Sequence, residues 1–234
     1  MSQFQTQQTT VSSETAGLQS YIAGVFSRMG IAVLITAAVA FLFYTTNLYM
    51  FSPIAFIFIA IAEFGICIFL SSRIMTMKQS TATACLYGYA ALTGVTFSVL
   101  PVAFDLPTFF TAFLFAAVMF LCCAVIGHTT NVDLSKFTGL LIGGLIAMVV
   151  ATIASLFIPA LRDSLIISYI GVILFLFITA WDMQKVKSYY YGTAGGQGTA
   201  GANLAVYGAF QLYLDFINIF LYIIRIFGSR SSRK

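Results

Sequence analysis

The chain has 234 residues, of which 60% are hydrophobic and only 8% are charged, about a third of the charged share usual in soluble domains. A soluble core of this size could not bury so much apolar surface, because a globular protein needs a polar exterior. The composition therefore indicates a polytopic membrane protein and argues against a soluble enzyme, a nucleic-acid-binding protein and a secreted disulfide scaffold. The net charge of +4 is spread over loops and ends, where it bears on membrane topology.

Two short segments precede the first predicted span. Residues 1–16 are polar and of low complexity, which predicts a disordered N-terminal tail. In residues 17–28 the apolar side chains recur at i, i+3, i+4 and i+7, which predicts an amphipathic helix lying on the membrane surface. The alternative is that residues 17–28 simply begin the first membrane helix.

Charged residues divide the rest of the chain into membrane helices, each of about 20 apolar residues. The first two helices share one uncharged run, residues 29–62, which a polar break at residues 45–47 divides. We predict an all-α transmembrane domain over 29–228, a seven-helix bundle, followed by a basic C-terminal tail over 229–234. The helices are expected at about 29–46, 51–72, 79–104, 106–132, 137–161, 164–187 and 203–227.

The distribution of lysine and arginine predicts a cytoplasmic N-terminus, because these residues are enriched in cytoplasmic loops. With that orientation six basic residues lie on the inner side, and the facing loops carry only Arg162. The basic C-terminal tail disagrees if all seven helices cross the membrane. Either the tail is an exception or the last segment is re-entrant, and we prefer seven full spans. The six inner residues are Arg28, Arg73, Lys78, Lys136, Lys185 and Lys187.

Two glycine patterns have plain structural interpretations. Gly196, Gly198 and Gly201 have GxGxxG spacing, but they follow a membrane helix and no strand, so we expect a flexible loop and no dinucleotide cofactor. Gly139 and Gly143 form GxxxG in an apolar segment, a spacing that lets two helices approach closely. We expect this face to pack within the chain, with a dimer interface as the alternative.

The informative residues are the charged groups inside the predicted spans. Asp182 lies near the inner end of the sixth helix, Asp215 lies in the seventh, and Asn218 shares the face of Asp215. Glu63 lies in the second helix, whose inner end carries Arg73. A charge near the bilayer centre costs about 2.5–3.5 kcal/mol on insertion scales, so such residues tend to face protein or water and to mark pathways. The structural alternative is that each charge has one static partner that pins the bundle.

Asp182 and Asp215 form a candidate proton switch. Two carboxylates in one poorly hydrated site cannot both ionise cheaply, and they titrate as a coupled unit. Protonated, they could share a hydrogen bond and hold their helices together. Ionised, they repel each other and attract a cation such as Ca²⁺, which prefers carboxylate and carbonyl oxygens, so the pair is a candidate weak Ca²⁺ site. Arg73 could pair with one carboxylate as a releasable latch.

Five segments carry a family resemblance that extends from about residue 17 to the end of the chain. They resemble the transmembrane Bax inhibitor motif family, and LYLDFIN with its upstream aspartate is the most specific part. The N-terminal stretch is most similar to the bacterial branch of the family. The segments are AGLQSYIAGVFSRM, LSSRIMTMK, YGYAALTGVTFSVLP, ITAWDMQKVK and LYLDFINIFLYIIRIFG.

The resemblance implies a seven-helix fold whose last helix is surrounded by the other six, located in the bacterial inner membrane. It also implies a pH-sensitive Ca²⁺ leak in which Asp182 and Asp215 match the family's paired aspartates. Arg73 best matches the family's latch arginine at the inner end of the second helix. Glu63 matches an acid that some members carry in that helix.

We therefore expect a channel and not an enzyme, with no cofactor, whose partners are Ca²⁺, protons and the lipid bilayer and not nucleic acid. The alternative is a non-conducting regulator that binds other membrane proteins or a quality-control protease, as some bacterial relatives are linked to one. An intramembrane aspartyl protease could also use two aspartates to activate a water. The GxGD motif of such proteases is missing, because Leu212, Tyr213 and Leu214 precede Asp215.

Overall fold

The computed structural model describes residues 2–48, 53–155, 157–158, 161 and 164–231, and the regular structure of these residues is helical throughout. Seven long helices follow one another along this part of the chain, as the sequence predicts. The all-α fold class is therefore confirmed. The helices are α1 (Ser2–Thr45), α2 (Pro53–Arg73), α3 (Gln79–Phe97), the short α4 (Leu100–Phe104), α5 (Leu106–Thr129), α6 (Thr138–Ser155), α7 (Leu165–Gly192) and α8 (Gly198–Ser231), with a 3₁₀ helix at Leu134–Phe137.

The long helices have the length and composition of membrane spans. Six segments within the described residues are long and apolar enough to cross a bilayer. The remaining long helix, α2, has 21 residues, which at 1.5 Å per residue is about 31 Å, close to the thickness of a hydrocarbon core. The chain is thus a polytopic membrane protein. The six segments are Ser13–Thr45, Gln79–Phe104, Leu106–Thr129, Leu134–Ser155, Leu165–Gly192 and Gly198–Ser229.

The last helix is the most buried of these spans. In α8, 67% of the residues in the apolar stretch are buried inside the protein, against 11–44% in the apolar stretches of the other five segments. A span that contacts protein on most of its circumference is surrounded by other helices. This burial agrees with the expectation of a central last helix, whereas α6, at 11%, exposes most of its surface.

The N-terminal segments are continuous with the first membrane helix. α1 begins at Ser2 and continues without a break to Thr45, so residues 2–16 and 17–28 lie in the same helix as the span, which is the alternative given for residues 17–28. No proline interrupts this stretch, and its first glycine is Gly17. Once a long apolar helix has nucleated, each added residue costs little, so the polar sequence that precedes the span extends the same helix.

Helix ends also differ where the prediction relied on charges. α7 continues to Gly192 rather than ending near 187. Lys185 and Lys187 lie within the helix, so the charges that limit the predicted span do not end the helix. The predicted third helix ends early, at Phe97, and α4 follows after a turn. Pro101 in α4 has no amide hydrogen, so a single uninterrupted helix is disfavoured at that point.

The chain folds into two compact units. The first comprises Met1–Val99 and Lys185–Tyr213, and the second comprises Leu100–Gln184 and Leu214–Lys234. α7 and α8 therefore each contribute to both units. Asp182 and Asp215 belong to the second unit, whereas Glu63 and Arg73 belong to the first.

The turn between α7 and α8 explains the GxGxxG pattern. Gly195, Gly196 and Gly198 have positive φ angles of 83°, 75° and 71°, a backbone conformation that glycine adopts without steric cost. Gly201 already lies in α8, and a Cβ at that position would overlap the backbone of Gly196. The glycines serve a tight turn, and the described residues contain no strand that a dinucleotide-binding unit needs.

No residue that the structure describes packs closely against the GxxxG glycines, which corrects the expectation for Gly139 and Gly143. Nothing in the described residues lies within 4 Å of a Cβ placed on either glycine. The neighbouring Gly144 makes the close contact instead, because a Cβ there would lie 2.9 Å from Cδ1 of Leu174 in α7. α6 meets α7 through a different face from the one that the spacing indicates.

Candidate functional site

The register of α7 and α8 indicates that Asp182 and Asp215 lie at about the same level on the sides by which the two helices meet. In the second unit the rings of Phe175 and Tyr222 are 6.0 Å apart, which fixes the register of the two antiparallel helices. Asp182 lies seven residues after Phe175, and Asp215 lies seven residues before Tyr222. Seven residues are about two helical turns, so each aspartate lies on the same face as the ring that marks the contact.

Further contacts support this register. A Cβ at Gly171, one turn from Phe175, would lie 2.7 Å from the Tyr222 ring. Within the first unit the same two helices pair Val186 with Gly208, where a Cβ would lie 2.8 Å from a Val186 methyl group. Gly208 is again seven residues from Asp215, so the α7-facing side of α8 is marked on both sides of the aspartate.

Both aspartates are buried. Asp182 and Asp215 are each 4% exposed, and each takes part in interactions within the protein. Carboxyl groups that were exposed to lipid would carry the insertion penalty without compensation. The sequence prediction that these residues face the protein interior agrees with their burial, and the register of α7 and α8 brings them to one level.

Helix α5 forms another wall beside this pair of helices. Its Phe113 and Phe120 pack edge-on against Phe216 of α8, with ring centroids 5.4 and 5.9 Å apart. Nearer its C-terminal end, Gly127 lies so close to α7 that a Cβ there would be 2.7 Å from Cα of Ala180. The aromatic rings and the close helix contact place apolar groups beside this part of α7 and α8, and electrostatic interactions are stronger in apolar surroundings than in water.

The arrangement can bind protons, and its oxygen atoms suit a hard cation. Coupled titration of two carboxyl groups requires that they interact strongly, and for Asp182 and Asp215 it stays a prediction. Ca²⁺ takes six to eight oxygen ligands, and the described residues contain no cluster of three or more histidine, cysteine or acidic side chains. The weak Ca²⁺ site at Asp182 and Asp215 stays a prediction.

Glu63 is placed in a polar contact of the first unit. The Thr96 hydroxyl lies 3.1 Å from its Oε1 atom and donates to it. The same hydroxyl lies 2.9 Å from the Thr93 carbonyl oxygen. Since a threonine hydroxyl has one proton, only one of these acceptors receives it at a time. The contact joins α2 to α3 and keeps Glu63 half-buried.

The two remaining predicted residues have simpler surroundings. Arg73 is the last residue of α2, and its side chain is exposed. Its carbonyl oxygen accepts hydrogen bonds from the amide and the hydroxyl of Thr76, at 2.9 and 2.8 Å. The Asn218 amide donates to the Leu214 carbonyl oxygen at 2.8 Å, within α8 itself. The latch role of Arg73 and the accessory role of Asn218 stay predictions.

Comparison with known proteins now adds independent evidence. The family described as "Inhibitor of apoptosis-promoting Bax1" matches residues 18–232. The chain belongs to this Bax inhibitor family. The matched range includes both aspartates, Glu63 and Arg73.

Bacterial proteins are similar over nearly the whole chain. Inner membrane protein YbhL of Escherichia coli is 34% identical over 221 residues, which cover 92% of this chain and 94% of YbhL. Protein RP147 of Rickettsia prowazekii is 32% identical, with 92% and 91% covered. Membrane protein SpyM3_0260 of Streptococcus pyogenes is 35% identical, with 91% and 93% covered. This Bax inhibitor family protein is therefore a multi-pass integral protein of the bacterial inner membrane.

Several polar residues of this Bax inhibitor family protein escape analysis of the sequence. The hydroxyl groups of Thr36 and Tyr213 are 2.8 Å apart. The Asn203 amide donates to the Met77 carbonyl oxygen at 2.8 Å, and the Gln184 amide contacts the loop after α5. The available signal is a polar side chain within an apolar helix, and Tyr213 and Gln184 each lie two residues from an aspartate.

Proposed function

We propose that this Bax inhibitor family protein is a passive, pH-sensitive calcium leak channel. The observation that supports it is the burial of Asp182 and Asp215, together with a register of α7 and α8 from which we infer that the two side chains lie at about one level. A merely structural aspartate needs one fixed partner, whereas two carboxyl groups on adjoining helices form a pair whose mutual interaction changes sign with protonation.

The expected pH response follows from the charges. When one carboxyl is protonated it can donate a hydrogen bond to the other, and this attraction holds α7 against α8. When the pH rises and both are ionised, the carboxylates repel each other and attract a divalent cation. Arg73 is the proposed latch, whose guanidinium would pair with an ionised carboxylate and be released on protonation. In this scheme the protein is not an enzyme and needs no cofactor.

A flux assay in liposomes tests the proposal. Purified protein would be reconstituted around a Ca²⁺-sensitive dye, and the initial rate of Ca²⁺ entry would be measured across a pH series. Asp215→Asn and Asp182→Asn should each abolish the pH dependence, because an amide cannot ionise.

The matched control is Asp105→Asn, since Asp105 is an exposed aspartate at the N-cap of α5, where asparagine also caps a helix. It should leave the rate and its pH dependence unchanged. Flux and pH dependence that survive in Asp215→Asn would refute the mechanism. Absence of any flux in the wild-type protein would refute the channel itself.

A second function is favoured by the exposed face of α6. Gly139 and Gly143 lie on this face with no described residue within 4 Å of their Cβ positions, and α6 is the least buried of the six spans. Small residues that are open to the bilayer allow another helix to approach closely. The second candidate is therefore a non-conducting regulator that binds other membrane proteins, including a quality-control protease, through α6.

Cross-linking in native membranes separates the two functions. A regulator should give a defined cross-linked partner that is lost in Gly143→Leu, while the Asp215→Asn variant keeps it. A channel should show flux that Gly143→Leu leaves unchanged.

A further inference from the structure

One amide side chain holds the loop between α5 and α6 against α7. Nε2 of Gln184 donates to the Val132 carbonyl oxygen at 2.7 Å, and its Oε1 accepts from the Leu134 amide at 3.1 Å. The two backbone groups flank Asp133, so Gln184 pairs with the loop as a neighbouring β-strand would. All of these residues belong to the second unit.

We propose that Gln184 is a positioning residue, whose amide clamps the α5–α6 loop onto α7 and thereby fixes the rotation at which α7 presents Asp182 to α8. The consequence for ion flux rests on the proposed function, whereas the clamp itself does not. Gln184 touches neither a permeating ion nor a proton in this scheme, and it acts through Asp182.

The faces of α7 explain why such a clamp would matter. Ala180 and Gln184 are four residues apart and share one face, where α5 and the loop make their contacts. Asp182 lies two residues from each, about 200° around the helix. Asp182 therefore shares the face of α7 that Phe175 marks and that contacts α8. The α5–α6 loop holds the opposite face of α7.

The loop is rigid enough to transmit this constraint. The Asp133 carboxylate accepts from the Ser135 amide at 3.0 Å and begins the 3₁₀ helix. The Thr130 hydroxyl accepts from the Val132 amide at 3.2 Å. These hydrogen bonds within the loop restrict its conformation and hold the Val132 carbonyl and the Leu134 amide in positions where the Gln184 side chain can bind both.

The chemistry of the clamp requires an amide. Glutamine donates and accepts at once, whereas a glutamate carboxylate only accepts and would face the Val132 carbonyl oxygen with its own negative charge. Methionine has a similar length and does neither. The ionisable residues that the sequence carries in this part of α7 and in the elements that contact it are Asp182 and Lys185 on α7, Asp215 on α8, Cys122, Cys123 and His128 on α5 and Asp133 in the loop, and none of them is altered by these substitutions.

The sequence supplies a built-in reporter for the test. Trp181 is the single tryptophan of the chain, and it lies beside Asp182, three residues before Gln184. Its fluorescence emission and its quenching by acrylamide would be measured in proteoliposomes for the wild type, Gln184→Met and Gln184→Glu. Losing both hydrogen bonds should raise the population of released loop about 5- to 30-fold, and Trp181 quenching should rise with it.

The matched control is Gln211→Met, which removes a glutamine that accepts from Tyr189 at 3.1 Å in the other unit. It should leave Trp181 unchanged. Gln184→Glu should also raise Trp181 quenching above the wild type, because it keeps the bond to Leu134 but sets a carboxylate oxygen against the Val132 carbonyl oxygen. A second route to the same bond is Leu134→Pro, which deletes the amide hydrogen at the first position of the 3₁₀ helix, where proline is tolerated.

The outcomes separate the clamp from the channel. Trp181 quenching that is equal in wild type, Gln184→Met and Leu134→Pro would overturn the clamp, whatever the flux. If wild-type liposomes show flux, Gln184→Met should also shift the pH at which the rate is half-maximal, and Gln211→Met should not. If wild-type liposomes show no flux, the channel proposal fails, and the Trp181 measurement alone still decides whether Gln184 holds the loop.

Discussion

The Tyr213 and Thr36 hydroxyl groups lie 2.8 Å apart in the interior of the first unit, although 177 residues separate them in the chain. The Thr36 hydroxyl also lies 2.9 Å from the Ala90 carbonyl oxygen. Tyr213 can therefore donate to Thr36 while Thr36 donates to Ala90, and a chain of two hydrogen bonds joins α8, α1 and α3.

This chain of hydrogen bonds predicts a measurable coupling. Tyr213→Phe should lower the free energy of unfolding by about 0.5–1.5 kcal/mol, because one buried hydrogen bond is lost. Thr36→Val should cost more, since it leaves the Tyr213 hydroxyl without this partner. Unfolding in mixed detergent micelles of both single variants and the double variant gives the coupling energy. Additive effects would contradict the relay, and Tyr191→Phe, at an exposed tyrosine, is the control.

Glu63 is predicted to act as an acceptor for Thr96. Glu63→Gln retains a carbonyl oxygen for the Thr96 hydroxyl and should keep the thermal stability of the wild type within about 0.5 kcal/mol. Glu63→Ala should lower stability by about 1 kcal/mol, because the contact between α2 and α3 is lost. A Glu63→Gln variant as unstable as Glu63→Ala would show that the charge and not the hydrogen bond is required.

Two glycines that look alike in the sequence should respond oppositely to alanine. Gly127→Ala places a methyl group against the backbone of Ala180 in α7, and such overpacking should cost about 1–3 kcal/mol. Gly143→Ala meets nothing within 4 Å among the described residues and should be neutral or gain up to about 1 kcal/mol from helix propensity. Thermal unfolding in one detergent compares the pair directly, and equal effects would refute the close approach of α5 to α7.

Asp133 should not contribute to pH sensing near neutrality. Hydrogen bonds from the Ser135 side chain and amide lower the pKa of the Asp133 carboxyl below its ordinary value of 3.8. A depressed pKa in the folded protein means that the stabilisation is complete above the unfolded value and declines only as the pH falls through the folded value. Asp133→Asn should therefore lower stability by an amount that is constant near neutrality, and its difference from the wild type should shrink only in strong acid, as unfolding at several pH values would reveal. A difference in pH response confined to the neutral range would contradict this assignment.

The main features of the fold can be predicted from the sequence because the bilayer requires long apolar helices. Long uncharged runs predict the helices, and the two aspartates stand out since a charge inside an apolar run is costly. That the two aspartates lie at about one level cannot be predicted from the sequence, because it depends on the register between Phe175 and Tyr222. Periodicity assigns each residue a face of its own helix, but it does not say which neighbour that face meets.

The features that escaped prediction depend on contacts between distant segments. Gln184 binds Leu134 and Val132, which are 50 and 52 residues away in the sequence. A single glutamine forms no sequence pattern that predicts such distant partners. The helical N-terminal extension of α1 is hard to predict for a different reason, which is local. Its polar composition resembles a disordered tail, whereas its backbone continues a helix that the adjoining span has already nucleated.

The tight turn between α7 and α8 has a consequence for biogenesis. Only residues 193–197 separate the two helices, so they would enter the lipid phase together as a helical hairpin. Each aspartate alone would oppose partitioning by about 2.5–3.5 kcal/mol. Delivered as a hairpin, the two acids would arrive at matching depth, where one carboxyl could donate a hydrogen bond to the other as the pair joins the helices made before it.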